Sequence, residues 1–131
     1  MTSILVPISP GELLDKITIL RIKSERMTDR AKLANVGHER ALLEQTWREA
    51  GHSGVDISVE ELALQAVNAK LWDIEDDIRE KESQHAFDGE FIELARAVYF
   101  SNDERAALKK RINQKLGSKI VEEKSYRDYR K

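Results

Sequence analysis

The sequence contains no cysteine, which excludes disulfides, thiolate nucleophiles and cysteine-ligated zinc and is compatible with a reducing compartment. Stability must then come from packing. Proline occurs twice and glycine six times in 131 residues, too few interruptions for an all-β chain of many turns or for a disordered one. Charge of one sign is also missing: 22 basic side chains face 24 acidic ones, so no global field draws the chain to nucleic acid or anionic lipid. No apolar run approaches membrane-spanning length, and residues 1–8 lack the basic and long apolar regions of a secretory signal. A soluble, cytoplasmic protein is expected, with no membrane or nucleic-acid partner.

What is present is helical pattern. The length fits a single helical domain over 1–131, preceded by an extended arm at 1–8 and followed by a tail at 118–131. The arm is β-branched but interrupted by Pro7, so it predicts an edge strand or an ordered arm. Ser9-Pro10-Gly11-Glu12 then combines a capping hydroxyl, a proline in the first turn and a capping-box acid. It predicts a first helix over 10–27.

Thr28 and Asp29 are caps for a second helix, whose stripe is Leu33, Val36, Arg40, Leu43 and Trp47 and which ends at Gly51. After a connection through Ser53 and Gly54, Ser58-Val59-Glu60-Glu61 reads as another capping box. A third helix over 59–82 carries Leu64, Val67, Leu71, Ile74 and Ile78 at alternating spacings of three and four, the pattern of a seam between helices.

Asp88 is the expected cap of a fourth helix. Ser101-Asn102-Asp103-Glu104 resembles a further capping box and offers a break, but Phe91, Leu94 and Val98 share a face with Leu108, Ile112 and Leu116. The shared phase predicts one helix from about 90 to 116. Beyond Gly117, Ile120 and Val121 suggest either pairing with Ile4 and Val6 or an extended tail packed by Tyr126 and Tyr129. Short connections favour antiparallel neighbours and hence an all-α, antiparallel bundle of about four helices.

Charges inside the apolar stripes are the informative feature. Arg105 falls at the centre of the fourth helix's stripe, beside Ser101, Asn102 and Lys109. A buried guanidinium needs a carboxylate, an anionic ligand or a route to water. On the third helix Asn68, Glu75 and Arg79 form a polar ridge next to the seam, whereas Asp73, Asp77 and Glu80 fall on a face that solvation explains. The first helix is apolar nearly all round, so it is expected to sit centrally, and its second face brings Glu12 and Asp15 towards its neighbours.

Three readings follow. In the first, these charges satisfy one another as a structural ion-pair network, Glu75 with Arg105 for example. In the second, Asn68, Glu75, Arg79, Asn102, Arg105 and Lys109 line a binding site for an anionic small molecule or an acidic protein segment, with Arg105 suited to bidentate contacts. In the third, Glu12, Asp15, Glu75 and Asp76 hold Mg²⁺ or Mn²⁺ in a hydrolase of a nucleotide-like phosphorylated compound, with Arg105 or Lys109 clamping phosphate. Acids at that spacing resemble those of the all-α nucleotide pyrophosphatases. Phosphate-loop, dinucleotide, zinc-protease and nucleophile-elbow motifs are absent from the sequence. The second reading is preferred: a non-catalytic binding or accessory module. Excess apolar surface on the first or third helix suggests a homodimer.

Several strings also resemble a family of small bacterial proteins catalogued only as a domain of unknown function. They are SPGELLDKITIL from Ser9, VNAKLWDIEDDIR from Val67, NDERAALKKRIN from Asn102 and EEKSY from Glu122. Membership implies a bacterial source and no established activity, cofactor or catalytic residue. The chain departs from similar sequences at Arg21, where an acid is often found, so that position is left out of any site.

Overall fold

The computed structural model describes residues 2–52 and 54–130. Met1, Ser53 and Lys131, which belong to the predicted arm, connection and tail, lie outside the described residues. Among the described residues there are four α-helices, α1 (Pro10–Arg26), α2 (Arg30–Glu49), α3 (Ser58–Ser83) and α4 (Gly89–Lys115), and no strand. The protein is an all-α bundle.

Local chemistry sets the helix starts. Ser9 caps α1 by accepting from the Glu12 amide at 3.2 Å, with Pro10 next in the chain. Asp29 accepts from the Lys32 amide and Asp88 from the Phe91 amide, as their positions predict. The start of α3 differs. Ser58 is its first helical residue rather than its cap, and Ile57 in the cap position offers no side-chain acceptor. Asp56 instead accepts from both the amide and the hydroxyl of Ser58, since a carboxylate two residues upstream reaches both donors where the serine hydroxyl does not reach the later amides.

Helix α4 runs unbroken through Ser101, which is fully buried. The capping-box resemblance there yields to the apolar phase on either side, because a break would strand a buried backbone without partners.

The first helix is central: among the described residues the backbone of α1 lies close to α2, α3 and α4, whereas that of α2 lies close to α1 and not to the other two helices. The core is therefore built from α1, α3 and α4, with Leu14, Ile57, Leu64, Val67, Leu108 and Ile112 in one cluster and Trp47 at its edge. Eight residues of α1 are buried against one, Val36, of α2. The predicted α2 stripe does face inwards, with Leu33, Leu43 and Trp47 half-buried. Helices α3 and α4 are antiparallel, with Glu60 beside Lys115 at one end and Lys81 beside Glu90 at the other.

The terminal segments do not pair as strands. Ile4, Leu5 and Val6 are exposed, and so is Val121. The tail follows Gly117, whose φ of +66° lies in the left-handed region that favours glycine. It then runs extended along α4, where the Tyr129 ring packs against Tyr99 and Phe100 while Tyr126 stays exposed.

Candidate functional site

Where α1 and α4 run past each other, their backbones come close. The Gly11 amide donates to Asn113 Oδ1 at 2.7 Å, and a Cβ on Gly11 would lie 2.6 Å from the Lys109 carbonyl oxygen. Only a residue without a side chain permits this approach. It sets the two helices at a spacing where charges on α4 reach acids on α1, one turn apart.

The inner pair is Asp15 with Arg105. Arg105 donates from Nε to Asp15 Oδ1 at 2.8 Å and from Nη2 to Oδ2 at 2.5 Å, a bidentate fork. Asp15 is 1% exposed. Asn68 Nδ2 adds a third donor to Asp15 Oδ1 at 2.9 Å and also donates to Thr18 Oγ1 at 3.0 Å. Burial opposes ionisation of Asp15, but hydrogen bonds from Arg105 and Asn68 and the nearby cations outweigh it, holding the carboxyl below its ordinary value.

The outer pair is Glu12 with Lys109, one turn towards the end of the bundle. Lys109 Nζ donates to Glu12 Oε2 at 2.5 Å and to Glu122 Oε2, from the tail, at 3.5 Å. Burial pulls the Lys109 ammonium down, yet Glu12, Asp15 and Glu122 raise its pKa on balance. Glu122 is held a second time, accepting from the Ser9 hydroxyl at 2.9 Å. Glu12 thus takes a different part from the capping-box acid expected of it, with Lys109 and Lys16 as its partners among the described residues.

Both cations open onto a cleft of about 500 Å³ between α4 and the tail. Arg105, Lys109, Lys110, Asn102 and Asn113 form its α4 wall, and Glu122, Lys124 and Tyr126 lie on the other side. The guanidinium spends Nε and Nη2 on Asp15, and its Nη1 has no partner among the described residues. At 30% side-chain exposure Arg105 reaches the cleft while Asp15 behind it does not.

The structure therefore gathers Glu12, Asp15, Asn68, Asn102, Arg105 and Lys109 at one end of the bundle. It does not bring Glu75, Arg79 or Asp76 to them. Glu75 accepts from Arg79 at 3.1 Å on the solvent-facing side of α3, and Asp76 is exposed. Asn68 marks the level of Arg105, and Glu75 lies seven residues further along α3, about 10 Å by helical rise. The pairing of Glu75 with Arg105 is replaced by Asp15 with Arg105.

As to the metal reading, no group of three or more histidine, aspartate or glutamate side chains is placed to hold an ion among the described residues. Glu12 and Asp15 face ammonium and guanidinium groups, and Glu75 and Asp76 stand elsewhere. Four participants escaped the sequence reading: Gly11, Thr18, Asn113 and Glu122. Thr18 has the signal of sitting one turn after Asp15 on a helix judged central. The other three act through a close approach or a tail contact that helical phase does not encode.

No helix among the described residues is long and apolar enough to cross a membrane. No curated protein and no solved structure matches the chain. A family model does match, over residues 4–129, nearly the whole of the length that carries both ion pairs, the cleft and the tail: the chain belongs to the family of unknown function DUF6165.

Proposed function

We propose that this protein is a non-catalytic binding module that accepts a small phosphate- or carboxylate-bearing anion in the cleft between α4 and the C-terminal tail. The observation that carries this reading is the arrangement of Arg105 and Lys109. Each is anchored from behind by an acid of α1, and each still lines the cleft. Fixed cations in a partly desolvated cleft bind anions better than mobile surface lysines, because less side-chain entropy is lost and less water screens the contact. Lys110 adds a third cation to the same wall, and Asn102 and Asn113 add amide donors.

The test is binding of inorganic pyrophosphate, with citrate as the carboxylate arm, followed by calorimetry at matched ionic strength. Binding should be lost in Lys109→Met and weakened about fivefold in Lys110→Glu, whose exposed position leaves the fold intact. Equal affinity in wild type and both variants overturns the site.

A second reading has its own support. Asp15 is matched by Arg105 and Asn68 with no further partner required, as in a purely structural network. The two readings divide the cluster between them, the inner pair as support and the outer wall as seat. We also propose a homodimer, now through α3 alone. The apolar faces of α1 are consumed inside the chain, while Val59 and Leu62 of α3 remain exposed at 74% and 72%. A monomeric mass in light scattering at micromolar concentration removes it.

A further inference from the structure

The cleft already has an anion in it. Glu122, from the tail, places its carboxylate between the Lys109 ammonium and the Ser9 hydroxyl, where the bound anion of the preceding proposal would meet Lys109. We infer that the C-terminal tail is a built-in competitor, whose Glu122 carboxylate occupies the anion seat and must leave before a ligand binds. This rests on the reading of the cleft as an anion site.

The tail is suited to that part. It begins just after the left-handed Gly117 at the end of α4, so it is covalently close to the seat and its local concentration there is high. Its contacts lie on the surface of α4. Beyond Glu122, its far end is held by the Tyr129 ring against Tyr99 and Phe100 and by Asp103, which accepts from Lys124 at 3.1 Å and from the Tyr129 hydroxyl at 2.5 Å and lies near Arg130. Residues 119–130 are all exposed, and exposed ion pairs contribute little each. A segment held this way opens at low cost compared with a helix of the core.

Charge accounts for the direction of the effect. With the tail in place the cleft is lined by Arg105, Lys109, Lys110 and Lys124 against Glu122 and Glu123. Lifting the tail removes both acids and only one cation. The remaining wall carries Arg105, Lys109 and Lys110, so a multivalent anion finds a more positive seat once Glu122 has gone. The hydroxyl of Ser9, a residue buried while the tail is in place, becomes a donor for the incoming oxygen.

Pyrophosphate binding by the full chain and by Glu122→Gln, with tryptic cleavage of the tail followed in parallel, tests this. Glu122→Gln removes the competing charge at an exposed position and should tighten binding about fivefold, the effect of one exposed ion pair. Asp103→Asn, which weakens the hold on the far end of the tail, should move affinity in the same direction. Pyrophosphate should speed trypsin cleavage after Lys119, Lys124 and Arg127 in the wild type, and sodium chloride at the same ionic strength should not. Equal affinity in wild type and Glu122→Gln overturns the competitor and leaves the anion site standing. So does protection of the tail by pyrophosphate, which makes the tail a cover over the ligand. No binding by any variant, Glu122→Gln included, overturns the anion site itself and the competitor with it.

Discussion

Two ion pairs join the same two helices one turn apart, and they differ in nearly every respect that matters. Asp15 with Arg105 is bidentate, supported by Asn68, and closed to water on the acid's side. Glu12 with Lys109 is a single contact, and its cation is shared with an acid from the C-terminal tail, Glu122, held on the surface. The first arrangement is complete without anything added. Under the proposed function the second exchanges one partner for another, because Lys109 keeps Glu12 whichever anion faces it from the cleft. Depth in the bundle thus separates an enclosed ion pair from one that faces the cleft.

The comparison is broken most directly at the inner pair. Arg105→Met strands Asp15, which has no route to water, and should destabilise the fold by about 3 kcal/mol, near the low end for a broken buried pair because Asn68 still donates to the carboxylate. Adding Asp15→Leu should recover much of that loss, since no buried charge then remains. Chemical denaturation of the single and double variants measures both. Failure of the double variant to recover stability would mean that Asp15 is needed for something other than matching Arg105.

Next in size is the contact that sets the helix spacing. Gly11→Ala drives a methyl group against the Lys109 carbonyl and should cost about 1–3 kcal/mol by overpacking. It should also loosen both pairs together, since both depend on the same approach of α1 to α4. An unchanged melting temperature would show that the helices shift apart freely there.

At the outer pair, Lys109→Met should cost about 1 kcal/mol, less than either change above, because Glu12 keeps Lys16 and lies near solvent. Its effect on anion binding should exceed its effect on stability. Asp15 and Lys109 respond at opposite ends of the pH range. Asp15 titrates below its ordinary 3.8 when folded, so its contribution is present above about pH 4 and is lost as pH falls through the depressed folded value. Lys109 is raised above 10.5, so its contribution is present below that pH and is lost only as pH rises past the folded value. The slope of stability between about pH 4 and pH 2 should be shallower in Asp15→Asn than in the wild type.

How much of this was legible in the sequence follows the same division. Helical phase gave the four helices, the central position of α1 and the unbroken α4, because burial acts on every turn and leaves a repeating signal. It also picked out Asp15, Asn68, Arg105 and Lys109 as charges or amides where apolar residues were due. What phase does not give is the level at which one helix passes another. Glu75 and Asp15 were both available to Arg105 by face, and only the position of α4 along α3 and α1 distinguishes them. That position depends on Gly11, a single residue whose role shows in no periodicity. The tail carries still less signal: Glu122 sits in an extended segment, and its contacts come from folding back across more than 100 residues to Ser9.

The smallest effect probes whether the inner pair is as self-sufficient as its geometry implies. Ser101 lies one turn before Arg105 on α4, fully buried, and its hydroxyl has no hydrogen-bond partner among the described residues. A buried hydroxyl without a partner is a standing cost, and alanine is the better helix former. Ser101→Ala should therefore leave stability unchanged or raise it by up to about 1 kcal/mol. A loss of that size instead would mean that the hydroxyl supports the Asp15–Arg105 pair in solution. The inner pair would then need a neighbour, as the outer pair does, and the contrast between them would be one of degree.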